Sequence, residues 1–128
     1  MIWHNFVLVP VYIHHPPEVV MDFDERVSSF EYSCHLYRNE LEEAERLRKQ
    51  NLDLLGKKTL SILESDIQYV DETFEIIKEK CGHHAAVLMW QLYVEEKKGE
   101  EVADKFNISR TTLTTWVKKW KQKLFGED

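Results

Sequence analysis

Apolar residues recur with helical spacing from about Asp24 onward. Phe30, Cys34, Tyr37, Leu41 and Ala44 follow one another at steps of four, three, four and three, which traces one face of an amphipathic helix. Leu63, Ile67, Val70, Phe74, Ile77 and Cys81 repeat that spacing without a break. Gly56, followed by Lys57 and Lys58, reads as the stop of the first helix, and Gly82 as the stop of the second. Two such stripes joined by a short turn predict an antiparallel helical hairpin, or half of a dimeric bundle, with the apolar seam as its core.

Three shorter helical segments follow Gly82. His84–Glu96 holds Ala85, Leu88, Met89, Leu92 and Tyr93 on one side, and Glu100–Phe106 is a second segment. Ser109 is a good N-cap for a third, running to about Phe125. In that third helix Leu113, Trp116, Val117, Trp120 and Leu124 share one face, and Thr111, Thr115, Lys118, Lys119 and Gln122 lie opposite. The N-terminal stretch MIWHNFVLVPVYIHHPP is different: β-branched, aromatic and interrupted by Pro10, it predicts an edge strand or an extended arm. The expected fold is mainly α, with an extended arm over 1–23, a helical hairpin over 24–82 and a C-terminal three-helix module over 83–128. The arm and the long stripe offer more apolar surface than a small module covers, which predicts a homodimer.

Threonine is a poor residue for a helix interior, yet the last helix carries four of them, Thr111, Thr112, Thr114 and Thr115. This predicts a helix selected for what it touches. Charge sharpens the reading. The chain carries a net charge of −6, which taken alone argues against a nucleic-acid partner. Between Lys105 and Phe125, however, there are six basic residues and no acidic one, while residues 1–104 hold 11 basic and 21 acidic. Contact with a polyanion is therefore expected from the C-terminal end alone.

The segment GEEVADKFNISRTTLTTWVK (99–118) fits a helix-turn-helix position by position. Val102 and the small Ala103 belong to the first helix, Phe106 and Ile108 plug the core on either side of the turn, and Asn107 stands where a positive φ is needed. Leu113 and Trp116 then bury the inner face of the recognition helix, and its outer face enters the DNA major groove. Short hydroxyl side chains let a helix lie close to the groove, bond phosphates or base edges and touch thymine methyls. The candidate DNA-binding residues are Ser109, Arg110, Thr111, Thr112, Thr114, Thr115, Lys118, Lys119 and Gln122.

The stretch AVLMWQLYVEEKKGEEVADKFNISRTTLTTWVKKW, with its E-V-A-x-x-x-x-I-S-R-x-T-L core, resembles the region-four helix-turn-helix of sigma-70-type factors. A long helical hairpin ahead of such a module is similar to small phage late transcription regulators of the RinA and ArpU type. The resemblance covers roughly residues 60–125. It implies a regulator, phage-borne or carried on a mobile element, that reads promoter double-stranded DNA, with RNA polymerase as a further partner. Trp116 and the Lys-Lys-Trp after Val117 also resemble helix-turn-helix modules of insertion-element transposases. The DNA-recognition subunit of a transposase or terminase assembly, or a helix-turn-helix that serves protein interaction, are the competing expectations.

Other chemistry is weaker. Cys81-Gly-His-His is the tightest cluster of metal-binding types but has no second Cys or His at finger-like spacing, so no metal and no cofactor is expected. Glu40, Glu42, Glu43 and Glu45 read as a solvated helix face. No P-loop, glycine-rich phosphate cradle or nucleophile triad is present, so no enzyme activity is expected. Two cysteines without a signal peptide predict reduced thiols in a cytoplasmic protein. The apolar run from Phe6 to Ile13 is too short to span a bilayer.

Overall fold

In the computed structural model, residues 21–126 are described. They are mainly α-helical, with no strand among them. The helices are α1 (Phe23–Arg48), α2 (Leu54–Cys81), α3 (His83–Met89, continued by a π-helical turn Trp90–Val94), α4 (Gly99–Lys105) and α5 (Arg110–Phe125). The extended arm expected over 1–23 falls, but for its last residues, outside the described residues. The chain divides into two compact units, Met1–Thr73 and Phe74–Asp128.

In the first unit α1 opens with a capping box. The Asp22 carboxylate accepts from the Glu25 N–H at 2.8 Å, and the Glu25 carboxylate accepts from the Asp22 N–H at 3.0 Å, so two helix-end donors are satisfied reciprocally. The helix ends at Arg48, with Arg46 and Arg48 in its last turn, where positive charge complements the helix dipole. Gly56 does not stop it. Asp53 caps α2 instead, its Oδ1 accepting the Gly56 N–H at 2.8 Å, and Gly56 lies in the first turn of α2. A carboxylate that satisfies an orphan N–H favours a helix start there, and this outweighs the stop tendency of a lone glycine.

Phe30, Cys34, Tyr37 and Ala44 are buried as the spacing predicts, but Leu41 is 38% exposed. The seam drifts along α1 and takes in Ser33 and Leu47, because a straight 3.6-residue helix slips about 20° per heptad. Leu41 is left at its edge. Burial, together with the charge of Glu31, pushes the Cys34 thiol up, so it behaves as a small apolar group. Three polar pairs link α1 to α2. The Tyr37 hydroxyl donates to Asp71 Oδ1 at 2.5 Å, Arg48 Nε donates to Glu64 Oε2 at 3.0 Å, and the Glu40 carboxyl, whose buried Oε1 has no hydrogen-bond partner among the described residues, lies near the Asp66 carboxylate. Tyr37 to a carboxylate is the strongest, worth about 1.5–3 kcal/mol; the exposed Arg48 pair adds about 1 kcal/mol at most.

In the second unit α2 ends at Gly82, whose φ of 101° is open to glycine and strained for other residues. A Cβ there would meet nothing within 4 Å, so the dihedral alone demands glycine. The helix expected to run to Glu96 changes register before its end. The Glu95 N–H reaches back five residues to the Trp90 carbonyl at 3.0 Å, a π-type bond, and Glu96 leaves with φ 57°. Phe74 sits edge-on to the Trp90 ring with centroids 4.9 Å apart. Leu88, Val102, Ala103, Leu113 and Val117 form the buried cluster that joins α3, α4 and α5. No helix among the described residues is long and apolar enough to cross a membrane.

The Glu40–Asp66 pair sets a pH dependence. Burial first, then the neighbouring Asp66 carboxyl, pushes Glu40 up to about 8. Its folded value lies above the ordinary 4.5, so the proton is bound more tightly in the folded chain. That stability is full below the unfolded value and is lost as pH rises through the folded one. Urea unfolding at about pH 5 and about pH 9 should show the wild type weaker at the higher pH. Glu40→Gln should flatten the dependence; an unchanged slope in the variant would remove Glu40 as its source.

Candidate nucleic-acid interface

The last two helices are joined by a turn that follows from one residue. Asn107 takes φ 56°, the left-handed conformation that asparagine tolerates better than most side chains. This lets the Ile108 N–H reach the Ala103 carbonyl at 3.0 Å and the Asn107 N–H reach the Asp104 carbonyl at 3.1 Å. The pair of bonds is a Schellman closure of α4. Its usual apolar contact is present too, since Ile108 packs against the cluster that contains Ala103. One residue later Ser109 caps α5, its Oγ accepting the Thr112 N–H at 3.0 Å. The chain thus ends one helix at Lys105 and starts the next at Arg110.

The positions of the nine candidate residues on α5 fall into three kinds. Thr111, Thr115, Lys118, Lys119 and Gln122 are exposed together on the side opposite Leu113, and among the described residues none of them has a side-chain partner. Ser109, Thr112 and Thr114 are occupied locally. The Ser109 hydroxyl also donates to Thr112 Oγ1 at 2.9 Å, and Thr114 Oγ1 donates back to the Arg110 carbonyl at 3.0 Å. Such back-bonding occupies the hydroxyl without adding to helix stability. Arg110 is exposed and lies across the start of α4. A Cβ on Gly99 would come within 2.6 Å of Arg110 Nε, so Gly99 provides the space in which that guanidinium rests.

The inner face differs from expectation at the tryptophans. Leu113, Val117, Leu124 and Phe125 are buried, whereas Trp116 is 38% exposed and Trp120 half-buried. The buried face centres on Leu113, Val117 and Leu124, and at 100° per residue Trp116 lies some 60–80° to one side of it. Phe125, outside the expected inner face, is buried as well. Lys121 is drawn inward over the Tyr93 ring, 4.8 Å from its centroid, and the favourable face of the ring holds it there. Among the described residues no group of three His, Cys, Asp or Glu side chains could hold a metal ion.

A left-handed backbone costs an ordinary L-residue about 1–2 kcal/mol. Asn107→Ala should therefore lower stability by about 1 kcal/mol, while Asn107→Gly leaves it equal or higher. Denaturant midpoints of the two variants check this. An alanine variant as stable as the glycine one would mean the turn is not held by the Asn107 conformation.

The chain matches no protein-family model, no curated protein and no solved structure.

Proposed function

We propose that α4, the turn 106–109 and α5 form a helix-turn-helix with α5 as recognition helix, and that the protein is a sequence-specific transcription regulator that binds double-stranded DNA. One observation carries this reading. Thr111, Thr115, Lys118, Lys119 and Gln122 face outward together on a helix that carries no carboxylate. Lysines bond phosphates, glutamine pairs with the adenine edge, and threonine supplies a hydroxyl and a methyl for thymine. The N-terminus of α5 adds backbone N–H groups and the positive end of a dipole, which favour a phosphate.

The remaining assignments rest on the same reading. The pairs Tyr37–Asp71 and Arg48–Glu64 fall in reverse chain order, which supports an antiparallel hairpin over 24–82. Leu55 and Ile62 lie seven residues apart on α2 and are 72% and 57% exposed. A second copy covering that stripe would make a homodimer, which suits a helix-turn-helix that contacts a short half-site. RNA polymerase, as the sigma-like resemblance implies, would meet the acidic residues of 1–104 rather than α5.

Selection of bound DNA from a random pool tests both parts. A dimer should return an inverted repeat with half-sites about 10 bp apart; a single half-site removes the dimer, and no enrichment removes the function. The Lys118→Ala, Lys119→Ala double variant should bind every sequence more weakly. Its log–log salt slope should flatten by about 1.8, from about 0.9 for each lost phosphate contact. An unchanged slope would place both lysines off the DNA backbone.

A further inference from the structure

A cleft of about 590 Å³ opens beside α5 in the second unit, within the size range of small-molecule sites, roughly 300–1,000 Å³. It adjoins the outward threonine face, sharing Lys119 with it. The residues that build it from α5 are Trp116, Lys119, Trp120 and Lys123, an alternation at steps of three, one and three that puts two tryptophans and two lysines on one side of the helix. The Trp116 and Trp120 rings stand 6.0 Å apart at 47°. Leu88, fully buried, and Phe106 from the turn close the apolar side.

The charges of this cleft are uncompensated. No carboxylate lines it. Lys119 and Lys123 make no ion pair and no ring contact among the described residues, in contrast to Lys121, which is held over Tyr93. Cys81 lies at the edge, its thiol pushed up by burial against the opposing pull of Lys123 and Lys80. It is therefore a neutral group that does not repel an anion.

We propose that this cleft binds a small planar anion, an aromatic ring system carrying a carboxylate or phosphate, with the ring against Trp116 and Trp120 and the charge between Lys119 and Lys123. The aromatic walls favour a flat apolar body. Two unpaired ammonium groups at a low-dielectric rim favour negative charge. A bare inorganic anion would leave the rings uncovered, and a cation would meet two like charges.

The test uses the full chain and the indole N–H resonances of its tryptophans, with Trp116→Phe and Trp120→Phe used for assignment. Three probes are titrated: 2-naphthoate, its neutral counterpart 2-naphthalenemethanol, and inorganic phosphate. 2-Naphthoate should shift Trp116 and Trp120 saturably and bind about tenfold more tightly than the alcohol, the size expected of two partly exposed charge contacts. Phosphate should leave the indoles unmoved. In the Lys119→Gln, Lys123→Gln variant, whose substitutions are both at exposed positions and whose helicity is checked by circular dichroism, the preference for naphthoate should vanish. Equal affinity for acid and alcohol in the wild type, a preference that survives the double variant, or shifts that leave Trp116 and Trp120 unmoved would each overturn the proposal.

Discussion

The left-handed backbone at Asn107 is the constraint on which the C-terminal half depends. It allows the two hydrogen bonds that close α4 on Ala103 and Asp104, and it returns Ile108 to the cluster around Ala103. Ser109 follows at once as the cap of α5. With the turn so short, the rotation of α5 about its own axis is not free. Leu113 and Val117 must meet Leu88 and Val102, and whatever lies opposite on the helix must face water. A single dihedral angle thereby selects which side chains of α5 are available to a partner.

Three sides of α5 then differ in chemistry. One holds the buried aliphatic residues, a second the exposed threonines, lysines and Gln122, and a third the tryptophans and lysines of the cleft. The four threonines divide between two tasks. Thr112 shares in the N-cap, and Thr114 bonds its own backbone one turn back, so both hydroxyls are occupied within the helix. Thr111 and Thr115 are left with hydroxyls directed to solvent. A helix whose first turn would be weak by propensity is held by its cap, and its outer face retains short side chains that allow close approach to a surface. Lys119 borders both the outer face and the cleft, so a ligand in one would meet the chemistry of the other.

Much of this was legible in the residues. The periodic stripes located α1, α2 and α5; Gly82 marked the end of α2, Ser109 the start of α5, and Asn107 the positive φ. These are local properties: a side-chain cap, a missing Cβ and an amphipathic period act over one or two turns of chain. Local signals also compete. Asp53 and the pair Asp22 and Glu25 have capping spacing in the sequence, yet Gly56 with its two lysines was the louder stop signal. The π-helical turn at Trp90 left no mark in the residue pattern, because a five-residue hydrogen bond alters the backbone without requiring a special residue type.

What the sequence by itself determined is therefore the helical content, the helix ends set by caps and glycine, and the division of α5 into an apolar and a basic, threonine-rich side. Only the tertiary structure decided how far each apolar residue is covered. Trp116 and Leu41 have the spacing of core residues and remain 38% exposed, because burial depends on what a neighbouring helix brings opposite, and a straight helix rotates its seam away from a fixed heptad. The meeting of Glu40 with Asp66 and the gathering of Phe106, Leu88 and the α5 tryptophans around one cleft belong to the same class. Their partners are distant in the chain, and no local preference specifies a contact made only when two helices pack.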